Sequence, residues 1–441
     1  MAALNISPAS IERHYRKLDK IGVAGSTREA GYIRTAYSVE ETSVIEYIAQ
    51  AAKGAGLLTR CDGIGNLIVE TPGNYNEYVE TGSHADTVPF GGNYDGLAGI
   101  VAGLEAIIML HRSSEVLKKG LRLRVWRGEE SAAFGYASMG SRGAFGCLHG
   151  PALKASYKGH TLEEWMHRCG VDSECIKKGV PALSQEEIDS ISAYVELHIE
   201  QGNFLEVKSK DIGIVSGVRG PARYLVHLMG EFDHSGATPM GSEYRKDTNL
   251  ALGYILVALH ELAQEHLNKG MDLVQTMGVI NSINDLNDKY GEVYKNAISK
   301  VSGFAYFSFE VRSCNENMNE YCKNARLLIE KKAKEMGVET HIEELSFTPG
   351  IDSLHMEIRE SIEKSCRETG ASFLEMVSGA WHDAAVIAEQ KRSDGSLIPS
   401  GLIFIPCRNG KSHSPDEYSR PDQIAKGAIV LAKTLLKLAM E

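Results

Sequence analysis

The 441-residue chain has no apolar run approaching the length of a membrane span, so no spanning helix is expected. Its first residues, MAALNISPASIERHYRKLDKIG, lack the apolar h-region of a secretory signal and read as an amphipathic helix opening near Ser7–Pro8. The eight cysteines are scattered, with no CxxC and no paired framework. They read as reduced thiols, small buried hydrophobes in a cytoplasmic protein. A basic excess is also missing: the net charge is −11, which argues against a nucleic-acid partner. Neither an internal repeat nor a low-complexity tract is present.

What is present is ordinary soluble-protein composition, 43% hydrophobic and 24% charged, over a length that exceeds one hydrophobic core. Two domains are expected. Up to about residue 211 the pattern alternates strand with helix. A helix spans Ser38–Gly56, a strand pair Leu57–Glu70 turns at Asp62–Gly63, a helix runs Leu97–Leu110, and strands lie at Leu121–Trp126 and Tyr194–Ile199. From Ile212 the order becomes strand, long helix (Asn249–Leu267), two strands, helix (Glu316–Glu335) and strand (Glu339–Leu345). That βαββαβ order marks an inserted α+β domain over residues 212–348, with residues 1–211 and 349–441 forming one discontinuous α/β domain.

Within the larger domain, the stretch Thr81–Gly99 is too polar and glycine-rich for packed core, and it carries His84, Asp86 and Asp95. Glu129 and Glu130 follow a second strand, His198 lies on a third, and His413 follows a fourth. Taken singly, each has a bland reading: HxD is common in surface loops, paired glutamates usually face solvent, and a lone strand histidine is usually structural. Their shared position at strand ends is what points to chemistry, since residues at one sheet edge converge in space. Imidazoles with carboxylates suit zinc, with manganese, cobalt or nickel as alternatives. Two such ions about 3.5–4 Å apart need a shared carboxylate. Asp95 can bridge, with His84 and His198 completing one ion and Glu130 and His413 the other. A carboxylate on a metal loses basicity, so the free neighbour Glu129 is the candidate general base. Asp86, two residues beyond His84, is placed to orient that imidazole.

These residues lie in motifs that run in order from Gly82 to Ser419: GSHADTVPFGGNYDG, EES, ELHIEQG, GEFDHSGATPM with EYRKD, SGAWHDA and NGKSHSPDEYS. The set resembles the di-zinc amidohydrolases related to aminoacylases and bacterial carboxypeptidases. Within them it is similar to the branch of N-carbamoyl-L-amino acid hydrolases, β-alanine synthase and allantoate amidohydrolase. The resemblance implies an α/β fold: a mixed-sheet catalytic domain of zinc aminopeptidase/phosphorylase-hydrolase type, carrying a ferredoxin-like lid that dimerises. It implies the same five metal ligands and the same base, Glu129. It further implies that His234 reaches the partner's active site to stabilise the oxyanion, and that Asn281 and Arg312 line the substrate pocket, the arginine holding a carboxylate in a two-pronged contact. Gln201, His382 and the Arg408–Gly410 turn would lie nearby. The expected substrate is a small carboxylate-bearing ureide, an N-carbamoyl-L-amino acid, with allantoate, N-carbamoyl-β-alanine, a peptidase or deacylase activity, or a silent binding homologue as alternatives. The chain departs from the pattern at Trp381, where the motif usually has glycine, at Ala85, and in the long segment between Asn281 and Arg312.

Overall fold

The computed structural model describes residues 5–25, 27–113, 115–280 and 298–441. The described chain forms two compact units. One comprises Met1–Ser216, Leu354–Ser378 and His382–Glu441, and the other Gly217–Ser353 with Gly379–Trp381. Among the described residues no helix is long and apolar enough to cross a membrane.

The larger unit is built on an eight-stranded sheet, in the order Leu58–Cys61, Leu67–Glu70, Gly120–Trp126, Tyr78–His84, Ile191–Ile199, Ser400–Ile405, Ile212–Val218 and Phe373–Ser378. Its middle four, from Gly120–Trp126 to Ser400–Ile405, are mutually parallel. They are buried on both faces, and two of them, Ile191–Ile199 and Ser400–Ile405, read as mainly apolar runs, not alternating ones. Parallel pairing also puts the C-terminal ends of all four at one edge. Helix Leu97–His111 and the C-terminal helix Pro421–Met440 supply much of the core.

The helix starts follow from their caps. Ser7, Ser38, Thr161 and Ser184 each accept a backbone N–H from the first turn that follows. The strand Tyr78–His84 runs further than its apolar start at Tyr78–Glu80 suggests, because Thr81, Gly82 and Ser83 are small enough to be buried in the sheet. His84 is therefore the last residue of a strand and inherits its rigidity. The strands Ile212–Val218 and Phe373–Ser378 have no counterpart in the sequence reading of this sheet.

Among the described residues the main elements of the smaller unit run βαββαβ: Gly220–Met229, helix Thr248–Asn268, Val274–Thr276, Phe304–Ser313, helix Met318–Glu335 and Glu339–Phe347. These four strands form an antiparallel sheet with Val274–Thr276 and Glu339–Phe347 at the edges, and the short strands Asp233–His234 and Lys300–Val301 pair separately. Alternate residues Ala222, Tyr224, Val226 and Leu228 share a core with Ile255, Leu259 and Ile329 of the helices, the period-2 and period-3.6 patterns meeting face to face. None of the eight cysteines is paired, but Cys61 and Cys147 are exposed, a correction to the expectation that all eight are buried.

Candidate metal centre

Four parallel strand ends supply the site. His84 closes one strand and pairs across it with Trp126, after which Arg127–Gly128 leads to Glu129 and Glu130. His198 is the penultimate residue of the next strand, opposite Phe404, beyond which the chain runs on to His413. Asp95 arrives from the turn before helix Leu97–His111. There Gly96 adopts φ +65°, and a Cβ on it would lie 2.5 Å from the His84 carbonyl oxygen. One turn later a Cβ at Gly99 would lie 2.0 Å from the Leu197 carbonyl oxygen, so glycine lets the helix lie against the strand of His198.

The two oxygens of Asp95 face different donors. Oδ1 is 3.3 Å from His84 Nε2 and 3.0 Å from His198 Nε2. Oδ2 is 3.5 Å from His413 Nε2, which in turn is 3.0 Å from Glu130 Oε1. Ligand atoms of His84, Asp95 and His198, and of Asp95, Glu130 and His413, lie within 4.8 Å of one another. A third grouping, His84 with Glu129 and Glu130, puts Glu129 within reach of the same space. His84, Asp95, Glu129, Glu130 and His198 are buried, whereas the His413 side chain is 49% exposed.

This donor set fits divalent cations. The His198 Nδ1 pairs with the carbonyl of Ile199 at 2.8 Å, so Nδ1 carries the proton and the Nε2 lone pair faces Asp95. That lone pair also accepts the backbone N–H of Gly96 at 3.1 Å, and its close approach to the Asp95 oxygen suits a cation between them or a second proton on the ring. Four buried carboxylates, Asp86, Asp95, Glu129 and Glu130, make no ion pair with lysine or arginine among the described residues. The titration behaviour reflects that imbalance. Burial opposes the charge on Asp95, but the surrounding His198, His413 and His84 hold it well below the ordinary carboxylate range. His413, hydrogen-bonded to Asp95 and Glu130, is pushed up to about 11. Burial drives Glu129 well above its ordinary value, with Glu130 adding to the effect.

Asp86 does more than accompany His84. Its Oδ1 lies 3.3 Å from His84 Nδ1, near enough for attraction without a well-angled hydrogen bond. Its two oxygens accept the backbone N–H of Glu129 at 2.9 Å and of Glu130 at 3.0 Å. One carboxylate thus ties the first histidine to the paired glutamates. Gln201, held at φ +60°, donates Nε2 to Asp95 Oδ2 at 2.6 Å. His382 is buried edge-on to the His198 ring, 4.6 Å between centroids, and pairs with Ser378 Oγ at 2.9 Å. Gly410, at φ +66°, packs its backbone against Asn203.

His234 and Arg312 belong to the smaller unit. His234 is exposed, and its Nδ1 accepts the N–H groups of Gly236 and Ala237, both at 3.1 Å, which leaves the proton on Nε2. Arg312 donates Nε to Glu310 Oε1 at 2.8 Å and Nη1 to the Gly379 carbonyl at 3.1 Å. Asn281 lies outside the described residues. Trp381 is half-buried and groups with the smaller unit.

Three residues that sequence reasoning did not single out buttress the cluster. Ser138, buried at φ +54°, donates Oγ to Glu129 Oε1 at 3.1 Å. Glu196 accepts Ser83 Oγ at 2.7 Å and Ala384 N–H at 2.8 Å, linking the strands of His84 and His198 to the turn after His382. Glu417 accepts four donors from two loops, and burial together with Asp95 raises it to about 7. Glu196 and Glu417 stand inside the motifs ELHIEQG and NGKSHSPDEYS, which is the one signal that could have drawn attention to them.

Comparison with known proteins agrees with this geometry. The model of peptidase family M20/M25/M40 matches residues 81–437. An allantoate amidohydrolase of Bacillus subtilis is 32% identical over 94% of this chain and 94% of its own length. An N-carbamoyl-L-amino acid amidohydrolase of Geobacillus stearothermophilus is 29% identical over 97% of this chain and 98% of its own. The crystal structure of a hydantoinase/carbamoylase-family amidase from Burkholderia multivorans superposes with a TM-score of 0.84 at 26% identity, covering 100% of this chain and 99% of that one. With five candidate ligands gathered at one sheet edge and a family match over most of its length, the chain belongs to peptidase family M20/M25/M40, among its hydantoinase/carbamoylase amidases.

Proposed function

We propose that the protein hydrolyses the carbamoyl C–N bond of an N-carbamoyl-L-amino acid, releasing the L-amino acid, carbon dioxide and ammonia. The observation that carries this reading is the divided carboxylate of Asp95, with Oδ1 toward His84 and His198 and Oδ2 toward His413. That arrangement suits a pair of divalent ions, zinc first, with His84 and His198 on one, Glu130 and His413 on the other, and Asp95 between. Such a pair supplies Lewis-acid polarisation of the carbamoyl oxygen and acidifies the attacking water.

The chain's own residues do the rest. Glu129, whose buried carboxyl is drawn to protons, takes one from the attacking water and returns it to the leaving nitrogen. Asp86 holds the backbone of Glu129 and Glu130 and attracts the far side of the His84 ring, fixing base and ligand in one frame. His234, with its proton on Nε2, is a ready donor to the developing oxyanion, supplied by the partner of a homodimer formed through the smaller unit. Arg312 receives the substrate's carboxylate. Gln201, His382 and the Gly410 turn line the approach to the ligands.

The 32% identity to an allantoate amidohydrolase supports a second reading, allantoate as the ureide. The deciding experiment is an ammonia-release panel on zinc-reconstituted protein. It would include N-carbamoyl-L-amino acids of several sizes, N-carbamoyl-β-alanine, allantoate and an N-acyl amino acid. Ammonia together with free amino acid from the N-carbamoyl-L-amino acids, and no free amino acid from the N-acyl control, is the expected result. Turnover of the N-acyl compound alone, or no turnover at all, rules the proposal out.

A further inference from the structure

One buried carboxylate beside the metal centre has no part in the reaction just described. Glu417 is 3% exposed. Its Oε1 accepts the backbone N–H of Tyr94 at 2.8 Å and of Asp95 at 2.9 Å. Its Oε2 accepts the backbone N–H of His413 at 3.2 Å and faces Ser412 Oγ at 3.0 Å, which also lies 2.8 Å from Asp95 Oδ2. The two loops it joins are more than three hundred residues apart in sequence; one brings Asp95, and the other brings His413, whose Nε2 lies 3.5 Å from Asp95 Oδ2.

Both loops are held in backbone conformations that do not keep themselves. His413 sits at φ +53°, uncommon for a residue with a Cβ, and Gly96 at φ +65° follows Asp95. The packing around the carboxylate leaves it no second position. A Cβ at Gly92 would fall 2.3 Å from both Glu417 Cβ and Oε1, so the loop closes directly over the side chain. Beside these contacts the Tyr94 and Tyr418 rings meet edge to face, 5.2 Å between centroids.

We propose that Glu417 is a positioning residue for the metal pair. Its carboxylate clamps the Asp95 loop to the His413 loop and sets the spacing of the position shared by Asp95, Glu130 and His413. The proposal rests on the two-metal reading above, and its test separates the two. Both acceptor oxygens are required, because each takes at least one backbone N–H, while the single Ser412 hydroxyl proton is shared between Glu417 and Asp95. Glutamine at this place presents an NH₂ to one pair of donors, whichever way its amide is turned.

The experiment titrates zinc alone into metal-free full-length protein against a chromophoric chelator, for the wild type and Glu417→Gln, with the melting temperature of each metal-free protein recorded alongside. We expect two zinc ions per wild-type chain. In Glu417→Gln one of the two affinities should fall by about 10–100-fold, the usual range for a lost outer-shell partner, while the other ion stays bound. The melting temperature of the metal-free variant should fall as well, because buried N–H groups lose an acceptor, so the readout that a merely structural role would not move is the selective loss of one affinity. Two unchanged affinities overturn the positioning role and leave the two-metal reading standing. A wild type that binds fewer than two zinc ions overturns that reading itself, and the proposal with it. If Glu417→Gln does not fold, Glu417→Asp decides. It keeps the charge and both oxygens but is a methylene too short to reach both loops. One weakened affinity in a folded Glu417→Asp upholds the clamp, and wild-type affinities overturn it.

Discussion

The same strands carry two clusters of buried charge, and they are settled in opposite ways. Midway along the sheet, Glu80 accepts Arg124 Nε at 2.6 Å and Nη2 at 3.0 Å, and pairs as well with Arg122. Arg122 reaches on to Glu70 at 2.7 Å, while Arg124 and Arg60 both reach Glu187. Three carboxylates meet three guanidiniums, and the chain neutralises itself. Four residues further along, at His84, the strand enters a cluster of carboxylates and imidazoles with no fixed cation among the described residues. Titration separates the two. Burial opposes the Glu80 charge, yet Arg124 and Arg122 outweigh it and hold the carboxyl below its ordinary range. At Glu129 burial prevails, and the carboxyl is driven up. Equal burial yields a structural network where the counter-charge is built in, and a reactive site where it must come from outside.

The largest effect that tests this contrast is on turnover. Glu129→Gln keeps the volume and loses the base, so ammonia release should fall by about 10²–10⁴-fold, the usual worth of a general acid–base group. Zinc content should not change. Near wild-type turnover in a zinc-loaded variant would put Glu129 in the same structural class as Glu80.

Glu80→Gln reverses the pattern: little change in zinc binding and a large loss of stability. It leaves Arg124, fully buried, without its principal carboxylate, and breaking a buried pair on one side costs about 3–5 kcal/mol. Denaturant unfolding of the metal-free protein measures it. The sign of the pH dependence is fixed as well. Because the folded-state value of Glu80 is depressed, its contribution is complete above its ordinary value of 4.5 and fades as the pH falls through the lowered value. Wild type and Glu80→Gln should therefore converge in stability on acidification. A gap that persists below that range would mean that Glu80 acts through shape and not charge.

How much of this was legible without coordinates follows the same division. The ligand set could be read because histidines and acids at the ends of apolar strands leave a mark in sequence, and because parallel strands bring their ends together. The period-2 and period-3.6 patterns likewise gave the order of the smaller unit. The charge network around Glu80 left no such mark. Arg122 and Arg124 look like the solvent face of an alternating strand until both faces of that strand prove buried. Glu417 was hidden for another reason: its partners are backbone N–H groups, which every residue has, so no residue type signals the clamp. The strands Ile212–Val218 and Phe373–Ser378 lie at the boundary between the two units, and tertiary pairing defines them more than local pattern does. Asn281, whose assignment rested on resemblance alone, falls outside the described residues.

The smallest expected effect is also the finest probe of the contrast. Ser138 is buried in a left-handed conformation, with Oγ 3.1 Å from Glu129 Oε1. Ser138→Ala removes that donor and leaves the backbone bond from Ser138 N–H to the Glu129 carbonyl in place. A single hydrogen bond is worth about 0.5–1.5 kcal/mol, which corresponds to roughly 2–12-fold in rate if it is spent on aiming the base. The loss should then appear in kcat, with KM, zinc content and melting temperature close to wild type. Were the glutamate structural, the same substitution would lower the melting temperature and leave kcat alone, because a hydroxyl that only satisfies a buried carboxylate stabilises the fold and not the reaction. The two outcomes fall on different instruments, so one variant decides whether the hydroxyl belongs to the sheet's self-contained charges or to its open ones.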